Sequence, residues 1–249
     1  MSPDTHLYTV LLASIRLLPI LVVAPITPFS RLPQLVRVIF CLVMATVLGW
    51  SANPVAISGL TPGSIIMEFL IGMIMAFGFH AAAAAADFMG KLLDMQIGFN
   101  ASAVFDPSGG HAGGMVSELL LLTMALVFVS MDFHYELLRG LSTWMSVLPP
   151  GSMTKLQMSP ENIIVVFSQQ FLTAFMMVMP VFLGLWLTDI AFAYMSRSMP
   201  QANIYFMALP LKVGLGILLL AMALPFIIQG ISVMYGQAIR FSGLPVVHP

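Results

Sequence analysis

The chain has 249 residues, of which 59% are hydrophobic and 8% charged, and its formal net charge is -1; its mean hydropathy is +1.00. Soluble domains carry about 25% charged residues, so this chain lacks the charge to cover a water-exposed surface. Its near-neutral balance gives no basic field for nucleic acid. The composition predicts an all-α integral membrane protein, because single helices satisfy their own backbone hydrogen bonds in lipid. Cys41 is the one cysteine, so no disulfide forms within the chain.

Six apolar blocks run at about 7–27, 35–52, 64–86, 116–131, 163–188 and 204–235, against the ~20 residues that cross a bilayer. Residues 7–27 are apolar apart from Arg16 and lack a basic n-region and a small-residue cleavage site, so they read as an uncleaved first membrane segment. Pro19, Pro25, Pro28 and Pro33 punctuate this block and the next. The third block carries only Glu68 as a charge. Its Gly72 and Ala76, its Gly78 and Ala82, and the run Ala81 to Ala86 offer a face on which another backbone can come close.

Asp87, Lys91 and Asp94 follow at spacings of four and three, on one helical face. They read either as a solvated helix end or as an ion-pair strip toward a neighbouring helix, since an unpaired charge at membrane level costs roughly 2.5–3.5 kcal/mol. Then comes the polar stretch "DMQIGFNASAVFDPSGGHAGG" (94–114), with five glycines and the pair Asp106-Pro107. The fourth block is short, with Glu118 near one end and Asp132 just past the other. Phe133, Leu137, Leu141, Trp144 and Leu148 recur at helical spacing and predict an amphipathic helix that stops at Pro149-Pro150 and suits a membrane interface. Residues 151–161 form a polar linker.

The fifth block has no charge and contains Pro180; the sixth carries only Lys212 and is expected to be divided by Pro210 and Pro225. Lys212 is expected to snorkel or to pair with a carboxylate of another chain. So many prolines predict kinked or broken helices packed inside an assembly, where neighbours satisfy the freed carbonyls. Nucleotide-binding, hydrolase-elbow and zinc-protease motifs are absent, so the chain reads as non-enzymatic and without a cofactor. Asp132, His134 and Glu136 make a poor metal site, because His134 points away from the face the carboxylates share; Asp106 and His111 supply only two ligands. Most of the 21 methionines read as adaptable core packing.

"GKLLDMQIGFNASAVFDPSGG" (90–110) resembles the signature stretch of the FliR family, with Gly90, Asp94, Gln96, Gly98, Asp106 and Pro107 matching and Ile97 standing where methionine is usual. "MSRSMPQANIYFMALPLKVGLG" is similar to a second family segment through Arg197, Pro200, Gln201, Ile204, Pro210 and Gly216, with Ser196 in place of asparagine. Arg16, Ala24-Pro25, Pro33, Arg37 and His134 agree more weakly. The matches run in order from about residue 16 to 217.

The resemblance implies a structural subunit of the flagellar type III protein export channel, in the bacterial inner membrane at the flagellar basal body. It implies assembly with FliP and FliQ into the entry pore for unfolded export substrates, with FlhB and FlhA as further partners and membrane lipid around it. It implies one membrane domain over 1–249, FliP-like over about 1–150 and FliQ-like over about 151–249, built of kinked hairpins in a hetero-oligomeric helical assembly. It also gives the polar stretch a role: Val104, Phe105, Asp106, Pro107, Ser108, Gly109, Gly110, His111, Gly113 and Gly114 would plug the pore. Glycines let such a segment refold cheaply, and Val104 and Phe105 supply apolar filling. Asp87, Lys91, Asp94, Gln96, Gly98, Arg197, Pro200, Gln201 and Lys212 would make subunit contacts. The injectisome counterpart of the family is the near alternative, although "DMQIG" at 94–98 looks more flagellar. From a different class, Asp87, Lys91, Asp94 and Lys212 could serve a charge relay in a secondary transporter with broken helices.

Overall fold

Helix boundaries follow the prolines and glycines of the chain. The computed structural model describes residues 3–23, 32–51, 61–99, 114–151, 160–198 and 204–242. Helix α1 (Pro3–Leu18) passes into a π-helical turn, Pro19–Val23. Pro19 has no N–H and its ring crowds the carbonyl one turn back, so the helix widens there. Helix α2 (Gln34–Ser51) starts at Pro33, whose carbonyl accepts from the amides of Val36 and Arg37.

Helix α3 (Pro62–Ile97) has 36 residues. Thr61 caps it through a reciprocal capping box with Ser64, and Pro62 sits in the first turn, where a missing N–H is harmless. Gly98 ends it in the left-handed region at φ 98°, which costs a glycine nothing. Helices α4 (Met115–Ser130) and α5 (Phe133–Val147) meet at a 67° bend, with Asp132 at φ 59°. Helices α6 (Pro160–Ser198, 39 residues) and α7 (Ile204–Phe241, 38 residues) complete the described chain.

The expected division of the last block is not what the structure shows: Pro180 lies inside continuous α6, and Pro210 and Pro225 lie inside continuous α7. Each proline forfeits one backbone bond, whereas unwinding a turn in apolar surroundings would strand several polar groups. Among the described residues, four helices are long and apolar enough to cross a membrane, or five if α4 and α5 form one bent span. At 1.5 Å per residue, a helix as long as α3 reaches about 54 Å, well beyond the ~30 Å hydrocarbon layer. These helices outrun a simple crossing.

Helix α3 is the axis of the packing, with half of its 36 residues buried. The glycine and alanine face works within the chain. A Cβ at Gly72 would strike the Arg16 carbonyl of α1, one at Gly78 would lie 3.0 Å from the Ala238 Cα of α7, and one at Gly90 would strike the Ser117 Cα of α4. Three helices therefore dock on one through missing side chains. Helices α6 and α7 form an antiparallel hairpin, in which Gln170 Nε2 donates to the Met234 carbonyl at 3.0 Å and Gly230 packs on Met177. Tyr235 ties this hairpin to the first part of the chain. Its hydroxyl donates to the Met124 carbonyl at 3.2 Å, and its ring meets Phe79, Phe128 and Phe133. The predicted amphipathic helix is α5, with Leu137 and Leu141 buried. Exposed apolar faces remain on α2 (Leu35, Ile39, Trp50) and on α6 and α7 (Leu187, Ile190, Met222).

Candidate functional site

The candidate site is the C-terminal end of α3, where the polar stretch leaves the helix. Asp94 is fully buried there. Its carboxylate accepts from the Val116 amide at 2.8 Å and the Ser117 amide at 3.2 Å, two of the unpaired donors that open α4. The backbone carbonyl of the same residue accepts from the amides of Gly98 and Phe99. Asp94 thus holds both stems of the segment 100–113. The neck is tight: any side chain at Gly114 would run into the Asp94 carboxylate.

The three charges of this face do not form one strip. Lys91 Nζ pairs with Asp87 Oδ2 at 2.7 Å, with side chains 51% and 32% exposed. Asp87 also accepts from the Ser117 hydroxyl at 2.5 Å. Asp94, three residues on, faces α4 instead of Lys91. Lys91 is half exposed, and Asp87 and Asp94 join α3 to another helix of the same chain. The reason is the difference in burial among these three residues, which span about two turns of α3.

Lys212 does not need another chain. Its Nζ lies 2.7 Å from Asp189 Oδ1, across the α6–α7 hairpin. Gln96 Nε2 donates to Asp189 Oδ2 at 2.9 Å. Beside them Gly216 admits the Ile97 side chain, where a Cβ would lie 2.8 Å from it. The end of the hairpin where α6 leads into α7 is therefore fastened to the stem of the polar stretch.

A second charged cluster sits at the other end of α3. Arg16 and Glu68, each 1% exposed, form a two-pronged pair: Nε to Oε2 at 2.5 Å and Nη2 to Oε1 at 2.9 Å. Arg16 Nη1 also donates to the Leu148 carbonyl at 2.7 Å, and the Gly151 amide donates to Glu68 Oε1 at 2.7 Å. The pair ties α1, α3 and the turn after α5. Buried charges persist only when paired and hydrogen-bonded, and each prong here has further partners.

Asp189 and the Arg16–Glu68 pairing were missed by the sequence reading. One signal existed: a lone charge in each of two apolar blocks must find a partner, and Arg16 and Glu68 are such a couple. Gln96, Gly98 and Lys212 lie at the neck as described. Arg197 is exposed near the C-terminus of α6. Val104, Phe105, Asp106, Pro107, Ser108, Gly109, Gly110, His111 and Gly113, with Pro200 and Gln201, lie outside the described residues. Among the described residues no group of three His, Cys, Asp or Glu side chains could hold a metal. His134 packs its ring against Phe128 and Tyr135.

The family model for bacterial export proteins, family 1, matches residues 7–238. The chain belongs to this family. It is 26% identical over 224 residues to the flagellar biosynthetic protein FliR of Bacillus subtilis, covering 87% of this chain and 86% of that protein. It is 25% identical over 234 residues to the flagellar biosynthetic protein FliR of Aquifex aeolicus, covering 91% and 89%. It is also 26% identical over 180 residues to the secretion system apparatus protein SsaT of Salmonella typhimurium, covering 68% and 64%. With its membrane-length helices, this bacterial export protein is a membrane-embedded flagellar export component. The signature residues of its 90–98 stretch now have physical roles. Gly90 admits α4, Asp94 clamps the neck, Gln96 reaches Asp189, and Gly98 turns the chain out of the helix.

Proposed function

We propose that this chain is a structural and gating subunit of the flagellar type III export channel in the bacterial inner membrane. It assembles with FliP and FliQ, and works beside FlhB and FlhA. In this reading residues 104–114 close the pore against ions and yield to unfolded export substrates. The observation that carries it is the Asp94 clamp. Both stems of a glycine-rich segment are fixed to rigid helices within a few ångströms of each other. A segment anchored so firmly at its base can change shape at its tip without disturbing the helices. Its sequence suits that role, with apolar Val104 and Phe105 and four glycines at 109, 110, 113 and 114.

The FliP-like part over about 1–150 and the FliQ-like part over about 151–249 belong to the same proposal; the α6–α7 hairpin supports the second of them. Exposed apolar faces on α2, α6 and α7 offer surface for neighbouring subunits as well as lipid. An injectisome role is the second reading, supported by the match to SsaT.

The test is deletion of 106–112, which spares Gly114 at the neck. The variant complex, co-expressed with its FliP- and FliQ-like neighbours, is expected to be recovered intact by native mass spectrometry. Reconstituted in liposomes, it is expected to leak ions where the parent complex does not. An intact complex with unchanged conductance would remove the gating role. Failure to recover any hetero-oligomer from the parent chain would remove the subunit role itself.

A further inference from the structure

At the end of the α6–α7 hairpin away from the Asp94 neck, two clefts of opposite character meet. One is polar, about 510 Å³, and lined by Asn162, Gln169, Gln237 and Arg240 over a floor that includes Val166. The other is an apolar groove of about 170 Å³, lined by Leu70, Met73, Phe77 and Ile163. Phe241 lines both. Its ring leans on Phe77, with centroids 5.9 Å apart, and stands as the divide between them. Neighbours in sequence, Asn162 and Ile163, face the two sides of that divide.

The polar side has an anion's requirements and more. Arg240 brings a guanidinium in the last turn of α7, with the carboxamides of Asn162 and Gln169 across the cleft. Glu161, exposed in the same first turn of α6, does not line it. Gln237 Oε1 is buried with no hydrogen-bond partner among the described residues, so a fitting occupant also supplies a donor. On the apolar side, Leu70 and Met73 stay about half exposed at the mouth of the groove. An occupant that suits both sides therefore carries a hydrogen-bond donor, an anionic group and a hydrocarbon chain.

We propose that this paired cleft binds one phospholipid whose head carries both a phosphate and a donor, as phosphatidylglycerol does. The phosphate meets Arg240, Asn162 and Gln169, a head hydroxyl reaches Gln237 Oε1, and one acyl chain passes Phe241 into the groove. The lipid would staple the hairpin end to α3, since the groove is walled by Leu70, Met73 and Phe77 of α3 and by Ile163 of α6.

The experiment uses the full chain purified with its co-expressed neighbours, stripped of lipid by detergent exchange. Phosphatidylglycerol is then added back, with inorganic phosphate as a separate probe, and retention is read by native mass spectrometry. One phosphatidylglycerol per chain is expected. Arg240→Gln is expected to weaken retention about tenfold, the scale of one charge-assisted hydrogen bond, and Arg240→Lys to restore part of it. Met73→Trp, which fills the groove and leaves the charges alone, is expected to weaken phosphatidylglycerol and not phosphate. Retention that neither variant changes, in complexes recovered at parental yield, overturns the proposal. So does competition by phosphate alone, which would mean a free-anion site. Crosslinking from position 163 to a partner subunit with no lipid retained would assign the cleft to a protein neighbour and overturn it as well.

Discussion

The two ends of α3 solve the same problem in opposite ways. Near its N-terminal end, Glu68 meets Arg16 in a site from which water is excluded, and every charged atom has a protein partner. At its C-terminal end, the charges grade from fully buried Asp94 through Asp87 to Lys91, half of it exposed. The first end fastens three segments in one geometry. The second fastens the two stems of a segment, at Gly98–Phe99 and at Val116–Ser117. The difference teaches where rigidity is invested: a buried pair resists any movement of its partners, whereas a carboxylate that caps a helix fixes the start of α4 and nothing beyond it.

Removing the buried partner gives the largest effect. Glu68→Ala strands Arg16 and is expected to destabilise the chain by about 3–5 kcal/mol, read as a loss of thermal stability and of purified yield. The pair replaced together by methionines is expected to recover most of that loss. If the single substitution cost no more than the double one, the N-terminal end would be no lock.

The neck comes next. Asp94→Ala exposes the Val116 and Ser117 amides and is expected to cost about 0.5–2 kcal/mol, the usual range for a lost helix cap. Its sharper signature is local: proteolysis between residues 99 and 114 is expected to speed up while the rest of the chain stays resistant. Asp94→Asn, which keeps one acceptor oxygen, is expected to fall between.

The exposed end gives the smallest effect. Lys91→Ala breaks a solvent-screened pair four residues apart and is expected to cost no more than about 0.3–0.5 kcal/mol. A thermal shift as large as that of Asp94→Ala would erase the gradient from buried to exposed along this face.

Much of this architecture is legible in the sequence, for reasons that are local. Apolar length marks the spans, and Phe133 to Leu148 repeat at the spacing of one helix face. Small residues at 72 and 78 announce the close approach of another backbone. The proline reading went too far at Pro210 and Pro225, because the cost of unwinding is set by apolar surroundings and not by the proline alone.

The sequence by itself determined that the chain is helical and membrane-embedded and that α3 would carry a small-residue face. Only the tertiary structure decided the partners: Arg16 with Glu68, 52 positions on; Asp94 with the first turn of α4; Asp189 with both Lys212 and Gln96. Periodicity reports which face of a helix a residue occupies, and that follows from 3.6 residues per turn. Which helix arrives at that face depends on how all the apolar surfaces are covered at once, and that is a property of the packed chain.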